Sequence, residues 1–305
     1  MSAAGAAGAV SGGRIDAHQH FWPWRDHPQD YAWMSEPLAA LRRDVLPHDS
    51  LPLMQAGSIA QCLAVQARAT PRETAWLLDL CATAPQIAGV IGWDDLRAPD
   101  LPQRLAAWRA HPQGERLKGL RHQVQDEADV PAFIASPEVN RGLRAVQDAG
   151  LVYSLLVRHG QMAGVPAWAA QHDRHWLVLD HLGKPPVGAA AGDPAWRPWE
   201  GHLRALAALP HVAAKLSGLA TEATIAGDLP DSARSAMRRC WDIALDAFGA
   251  QRLMFGSDWP VLSLATSYAD NLALFSDWTS RLSAAEQSAL WQGTARRVYG
   301  LSGLS

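Results

Sequence analysis

Histidine and aspartate side chains recur in this sequence directly after short apolar runs. The first run ends with His18 and His20, which are two positions apart. Residues two apart in a strand point the same way, and two imidazoles on one face either bind a metal ion or hydrogen-bond to each other. A later apolar run ends at Phe255 and is followed by Asp258. A carboxylate in that place suits a general base, a metal ligand, or an acceptor that only holds a loop.

Charged side chains also follow three other apolar runs. The set is Arg121 and His122, then Asp180, His181 and Lys184, then Lys215 and Glu222. A charged group that closes an apolar strand is costly unless it is paired or functional, and a cation there can polarise a carbonyl group. Each signal is weak alone, but their recurrence predicts one shared site. The GxSxG, HExxH and GxxxxGK[ST] motifs of other chemistries are absent.

The composition excludes several classes of protein. The chain has 305 residues, of which 48% are hydrophobic, and 30 acidic side chains against 27 basic ones. This content is unlike that of a disordered chain, and the acidic excess does not favour nucleic-acid binding. The three cysteines show no CxxC spacing, which indicates a reducing compartment, and no apolar run reaches the roughly 18 residues of a membrane span. We expect a cytoplasmic protein without nucleic-acid or membrane partners.

Eight short apolar runs alternate with helical segments. The runs are Arg14–Phe21, Ile59–Gln66, Ile87–Leu96, Leu117–Val124, Leu151–Arg158, His175–Leu182, His211–Leu219 and Arg252–Val261. Helices are predicted at Pro71–Ala84, Ser136–Ala149, Ala195–Ala208, Asp231–Phe248 and Ser267–Leu282, with one or two more in Ser283–Leu301. Thr70 and Ser136 are expected N-caps, and Gly150 and Gly249 are expected to end their helices.

This alternation predicts a (β/α)8 TIM barrel, in which functional residues lie at the carboxyl ends of the strands. The barrel is expected to span residues 14–305 as a single domain, after a disordered tail at residues 1–13 that is rich in alanine and glycine and does not read as a signal peptide. A doubly wound open sheet is the alternative. Its typical glycine-rich first turn is absent.

The motifs taken together resemble the amidohydrolase superfamily. IDAHQHFW, GLRHQVQDE, LDHLGKPP, KLSGL and RLMFGSDWPV occur in family order between about Arg14 and Tyr299. The resemblance is to the amidohydrolase-2 branch, and within it to the sugar-lactonase group that includes L-fuconolactonases and L-rhamnonolactonases. It implies a hydrolase of carbohydrate catabolism that opens a sugar-derived lactone, such as L-fuconolactone, to the hydroxy acid.

The resemblance also implies roles for individual residues. The first-strand histidine pair of the family matches His18 and His20, its sixth-strand histidine matches His181, and its water-activating aspartate matches Asp258. The carbamylated strand-4 lysine and the strand-5 histidine of two-metal members have no match at the corresponding strand ends. We therefore expect at most one divalent ion, with zinc favoured, on His18, His20 and Asp258, or catalysis without a metal.

The expected mechanism divides the other site residues between two tasks. Arg121 and His122 are candidates to stabilise the developing oxyanion directly if no metal does so. Candidates to orient substrate hydroxyls or to wall the sugar ring are His181, Lys184, Lys215, Glu222, Trp22, Trp24 and Trp259. A lactone isomerase, a decarboxylase and a non-catalytic ligand-binding barrel are the alternatives on the same scaffold. The oligomeric state, including a homo-oligomer, and the identity of the sugar stay open.

Overall fold

Eight parallel strands form the barrel that the sequence predicts, in a computed structural model that describes residues 13–225 and 229–302. The strands are β1 Arg14–Gln19, β2 Ile59–Val65, β3 Ile87–Gly92, β4 Leu117–His122, β5 Val152–Leu155, β6 Leu177–Leu179, β7 Val212–Leu216 and β8 Leu253–Phe255. Each strand pairs with the next one along the chain, which excludes the doubly wound order. A bridge between Gln19 and Trp259 joins β8 back to β1. Of the expected tail at residues 1–13, all but Gly13 lies outside the described residues.

Twelve α-helices are found in the described residues. They are α1 Pro47–Ala56, α2 Pro71–Cys81, α3 Leu101–Ala110, α4 Val130–Ala135, α5 Pro137–Asp148, α6 Val165–Ala169, α7 Trp196–Ala207, α8 Leu219–Ala223, α9 Asp231–Phe248, α10 Tyr268–Thr279, α11 Ala284–Ser288 and α12 Thr294–Tyr299. All five predicted helices are present. Thr70 and Ser136 cap α2 and α5 as expected, and Gly150 and Gly249 have positive φ angles. No helix in these ranges is long and apolar enough to cross a membrane.

The sequence analysis missed some helices and overestimated the strands. Five helices were not predicted, namely α1, α3, α4, α6 and α8, and three of them are only five or six residues long. The apolar run predicted as a strand over His175–Leu182 contains a strand of only three residues, β6. The run over Arg252–Val261 likewise contains only β8. In both runs the chain leaves the sheet in turns, and those turns carry site residues.

The barrel interior is apolar at its lower end, toward the amino ends of the strands, and polar at its upper end, toward their carboxyl ends. Side chains from several strands fill the lower part, including Leu63, Val152 and Met254, and Tyr299 of α12 closes it from below. A second and larger cluster packs the outer faces of the strands against the helices. Polar side chains therefore have space only at the carboxyl ends of the strands, where barrel enzymes place their sites.

Candidate active site

Three histidines and one aspartate meet at the carboxyl end of the barrel. Oδ1 of Asp258 lies 3.3 Å from Nε2 of His20, 3.5 Å from Nε2 of His18 and 3.9 Å from Nε2 of His181. The Nε2 atoms of His18, in β1, and of His20, directly after it, are 3.2 Å apart. All four side chains are buried, and none of the residues is more than 5% exposed. The cluster that the sequence motifs predicted from separate strands thus forms one compact group.

Irregular backbone brings these side chains together. The β1–β2 register shifts between Asp16 and Gln19, so β1 bulges where it carries His18. His181 and Asp258 have φ angles of 55° and 62°, in the left-handed region that few non-glycine residues adopt. Each therefore turns out of its strand toward the barrel axis. Such strained positions cluster at functional sites.

Two glycines allow the close approach of neighbouring backbone. A Cβ atom on Gly218 would lie 2.5 Å from Nδ1 of His181, and one on Gly256 would lie 2.7 Å from Cβ of His18. Neither distance is tolerable, so any larger residue would displace an imidazole of the cluster. Both glycines were visible in the motifs, but sequence reasoning assigned them no role.

A buried ion-pair network lies directly beneath the cluster. Asp180 is fully buried and forms ion pairs with Lys215 Nζ at 3.0 Å and with Arg121 Nη1 at 3.3 Å. The same cations reach His18, because Lys215 Nζ lies 3.3 Å from its Nδ1 and Arg121 Nη1 lies 3.3 Å from its Nε2. Arg121 also donates to the backbone carbonyl of Gln66. Buried charges are tolerated when they are paired in this way.

The pKa values of the cluster follow from burial and from this charge network. Burial, supported by Lys215, lowers the pKa of His18 well below its usual value, and burial lowers that of His181 to about 4. Burial alone would raise the pKa of Asp258, but His181 and His20 bring it below its usual value. Asp258 is therefore an ionised carboxylate beside neutral imidazoles of His18 and His181 at neutral pH.

The donor atoms fit one divalent cation. Ligand atoms of His18, His181 and Asp258 all lie within 4.8 Å of one another. The outer ring nitrogens of two histidines are held by oxygen atoms, since Nδ1 of His20 lies 2.8 Å from the Val65 carbonyl oxygen and Nδ1 of His181 lies 2.8 Å from Ser217 Oγ. Such partners fix the ring so that Nε2 faces a metal. Neutral imidazoles and a carboxylate suit zinc.

Comparison with known proteins agrees with this geometry. The family model described as Amidohydrolase, Amidohydro_2, matches residues 15–301. The chain belongs to the amidohydrolase family. It is 51% identical over 290 residues to an L-fucono-1,5-lactonase from Burkholderia multivorans, covering 94% of this chain and 96% of the relative. An L-fucono-1,5-lactonase from Burkholderia ambifaria is 35% identical over 84% of this chain and 83% of its own.

A solved amidohydrolase structure from Burkholderia multivorans is also similar. It was crystallised with bound Zn, is 51% identical in sequence and superposes with a TM-score of 0.89 over 95% of this chain and 99% of that one. Among the described residues of this amidohydrolase, the group of donors that could hold such an ion consists of His18, His181 and Asp258. Sequence reasoning had named His20 in place of His181, although His20 Nε2 is also close to Asp258.

The mouth of the amidohydrolase site carries a second ion pair. Lys184 Nζ lies 3.1 Å from Glu222 Oε1, and both side chains are about one-fifth exposed. Lys184 follows β6 and Glu222 lies in α8, so the pair bridges two loops at the carboxyl end. These two predicted substrate-binding residues are therefore accessible from solvent. Lys215, predicted with them, is fully buried in the network below and has no such access.

His122 is not brought to the cluster, which corrects its expected role beside Arg121. Successive strand residues face opposite sides, and Arg121 takes the inward side. The His122 ring instead stacks on Phe133, accepts a hydrogen bond from Trp93 Nε1 and lies 2.6 Å from Glu127 Oε1. These contacts place the ring in the packing of the loop after β4.

The tryptophans expected to wall the substrate are mostly enclosed. Trp22 is fully buried and donates its indole N–H to the carbonyl of Arg43, which removes it from direct contact with a ligand. Trp259 is 5% exposed and packs against Phe21. Trp24 is partly exposed and rests on the core. Of the three, Trp24 has the most surface to offer a sugar ring.

Sequence reasoning did not identify the supporting role of three residues of the site. Asp180 was noted as a polar strand end, but its position between two cations depends on β4 and β7 being close in space. The side-chain amide of Gln66 donates a hydrogen bond to the backbone carbonyl of Arg121, and Ser217 Oγ is hydrogen-bonded to Nδ1 of His181. Each follows or ends a strand, so position in the chain was the available signal. Their partners come from other strands, which no local pattern shows.

Proposed function

We propose that this amidohydrolase is a lactonase that hydrolyses neutral sugar lactones, with L-fucono-1,5-lactone as the first candidate. The observation that carries the proposal is the 51% identity to an L-fucono-1,5-lactonase over 94% of the chain. The site supports it independently, because an ionised Asp258 stands among three imidazoles above two buried cations, and the reaction needs no covalent nucleophile.

Asp258 is the general base of the proposed reaction. Its carboxylate takes a proton from a water molecule as that water attacks the lactone carbonyl carbon. The tetrahedral intermediate then collapses, the ring C–O bond breaks, and the proton returns from Asp258 to the departing alkoxide. The products are the free hydroxyl and the carboxylic acid of the open chain, and the acid releases its remaining proton to solvent at neutral pH. Neutral His181, 3.9 Å from Asp258, is placed to bind the reacting groups.

Positive charge beneath the cluster stabilises the oxyanion. Arg121 and Lys215 are both buried and stand below His18, at 3.3 Å from its two ring nitrogens. In a site of low dielectric constant, such preorganised charge lowers the barrier most where negative charge develops. His18, His181 and Asp258, with His20 beside them, would hold a divalent ion, zinc foremost, which would supply Lewis-acid polarisation of the carbonyl.

The charges at the mouth favour a neutral substrate. Lys184 is neutralised by Glu222 at 3.1 Å, and Arg158, on the loop after β5, lies 3.9 Å from Asp126. Each cation therefore already has an acidic partner, and neither is available to pair with a carboxylate on the substrate. Paired lysine and glutamate side chains instead present both a donor and an acceptor, as sugar hydroxyls require.

A substrate screen tests this function. Purified protein is assayed with a pH indicator on five- and six-membered aldonolactones and on a lactone that carries a free carboxylate, each with and without added zinc. We expect release of acid, with the highest kcat/KM for a neutral six-membered aldonolactone. A kcat/KM at least ~100-fold higher for the carboxylate-bearing lactone, about 2.7 kcal/mol in transition-state stabilisation, would contradict the substrate class.

Other products would contradict the reaction itself. Formation of an isomeric lactone, or release of CO2 from an aromatic acid, would support the isomerase or the decarboxylase alternative. Binding of lactones without any turnover would support a ligand-binding barrel. Mass spectrometry of the products distinguishes these outcomes in the same samples.

A further inference from the structure

Asp16 holds a fully buried carboxylate outside the reacting cluster. Its Oδ1 accepts the backbone N–H of Ser257 at 2.8 Å and that of His18 at 3.2 Å. Its Oδ2 accepts the amide of Gln19 at 2.8 Å and the hydroxyl of Tyr268 at 3.0 Å. No cation pairs with Asp16 among the described residues, so its four acceptor positions are used entirely on neutral donors.

The two backbone amides on Oδ1 belong to the segments that carry the cluster. One is the N–H of His18, which the β1 bulge between Asp16 and Gln19 has taken out of the regular ladder. The other is the N–H of Ser257, the residue before Asp258. A single carboxylate oxygen thus fixes the β1 imidazole and the β8 base relative to each other.

Asp16 also lies at the seam of the barrel. β8 and β1 share only an isolated bridge, between Gln19 and Trp259, whereas the other neighbouring strands share ladders. Across the seam, Asp258 N donates to His18 O at 2.9 Å and His20 N donates to Trp259 O at 2.8 Å. In a regular ladder, a backbone carbonyl of the neighbouring strand would accept the N–H of Ser257. Here the Asp16 carboxylate accepts it instead.

We propose that Asp16 is a positioning residue for catalysis, which sets the separation between His18 and Asp258 by bonding both backbone segments through Oδ1. The kinetic consequence rests on the proposed lactonase function. Misplacement of reacting groups by about 1 Å can cost ~100-fold in rate, and the gap at stake is 3.5 Å between His18 Nε2 and Asp258 Oδ1. Substrate-binding groups at the mouth are not attached to Asp16, so the effect should fall on kcat.

The test compares three variants of the full chain. Asp16→Ala removes every acceptor and should lower kcat by about 10- to 100-fold with KM within about threefold. Asp16→Asn keeps one carbonyl oxygen for the two backbone amides, while Tyr268 and Gln19 can turn to accept from its NH2 group, so it should restore kcat to within about fivefold of the parent. Asp16→Ser, whose hydroxyl reaches at most one amide, replaces the alanine variant if that fails to fold.

Asp94 provides the matched control. It is 2% exposed and accepts hydrogen bonds from Trp108 Nε1 at 2.7 Å and from the N–H of Asp95 at 2.8 Å, and it pairs with Arg104 at 2.6 Å, all away from the cluster. Asp94→Ala should lower the melting temperature but leave kcat within about twofold at a temperature where both variants are folded. Equal losses of kcat in the two alanine variants, or an Asp16→Ala variant with the parent kcat, would overturn the proposal.

Crystal structures of the parent and of Asp16→Ala, or of Asp16→Ser in its place, supply a readout that needs no turnover. We expect the 3.5 Å separation of His18 Nε2 and Asp258 Oδ1 to change by about 0.5 Å or more when Oδ1 is lost. An unchanged separation overturns the positioning role whatever the substrate. Lack of lactone hydrolysis by the parent chain would instead refute the proposed function, so the two failures are distinct.

Discussion

Replacement of Asp258 by asparagine tests the assignment of the base most directly. The change keeps the size of the side chain, which is 5% exposed, but the amide cannot take a proton from water. The charged side chains next to the His18 ring then change from two cations and two anions, namely Arg121, Lys215, Asp180 and Asp258, to two cations and one anion. Loss of a general base costs about 10²- to 10⁴-fold, so we expect kcat to fall by at least ~100-fold, or about 2.7 kcal/mol.

The assay measures kcat and KM for the best lactone from the screen, with thermal unfolding monitored in parallel. We expect the Asp258→Asn variant to fold, because its amide can still hydrogen-bond to the neighbouring imidazoles. Asp94→Asn makes the same chemical change at a buried carboxylate outside the cluster and should keep kcat within about twofold. Hydrolysis by Asp258→Asn at near the parent rate would refute the role of Asp258.

Three further predictions concern metal content and stability. Purified protein should carry at most one equivalent of a divalent ion by elemental analysis, and His18→Ala should lower its occupancy; two tightly held ions would contradict the single donor group found in the described residues. Lys215→Met leaves buried Asp180 with one cation and should lower the free energy of unfolding by about 3 kcal/mol. For a chain of 305 residues this corresponds to a fall of about 5 °C in Tm, and an unchanged Tm would contradict the prediction. Burial lowers the pKa of His172 from 6.5 to about 4, so folding stability should fall as the pH drops from about 6.5 to 4. Denaturant titrations at several pH values should show a smaller fall for His172→Gln, in which other buried histidines such as His181 still contribute.

The barrel and the core of its site could be predicted because parallel strands share one carboxyl edge. Eight apolar runs separated by helical segments were enough to identify the fold, and the strand order confirms it. Residues that follow different runs, such as His18, His181 and Asp258, must then lie near one another. Their mutual approach to within 4.8 Å follows from the architecture more than from any local motif.

The orientation of individual side chains could not be predicted in the same way. His122 and Arg121 are adjacent, and only the register of β4 decides which of them enters the barrel. The sequence predicts Lys215 as a substrate ligand, but its ammonium group forms an ion pair with Asp180, which follows another strand. The bulge after Asp16 is equally invisible, because it depends on pairing with β2 and on acceptors for the released amides.

Lys215 also sets how strongly the site can hold a metal. Burial alone would lower its pKa, but Asp180 together with Tyr299 raises it, so Nζ is charged, and it lies 3.3 Å from Nδ1 of His18. A neutral His18 carries one ring proton, and each ring nitrogen faces a cation, because Arg121 Nη1 lies 3.3 Å from Nε2. A metal on Nε2 requires that proton on Nδ1, beside the ammonium group, with Asp180 Oδ1 at 3.7 Å.

The competition between Lys215 and a metal gives the last prediction. Lys215→Met removes both the opposing charge and the donor on Nδ1, and Asp180 is then free to accept from the His18 ring, as carboxylates do behind ligating histidines. We expect zinc affinity to rise by at least about tenfold, measured by competition with a chelating indicator, although the variant is less stable than the parent. Arg252→Met, a matched change at a cation that donates to the backbone carbonyls of Leu209 and Val212 and lies over the Phe248 ring, should leave zinc affinity unchanged. Equal zinc affinity in the parent and in Lys215→Met would show that His18 Nε2 is already available, and the competition would be wrong.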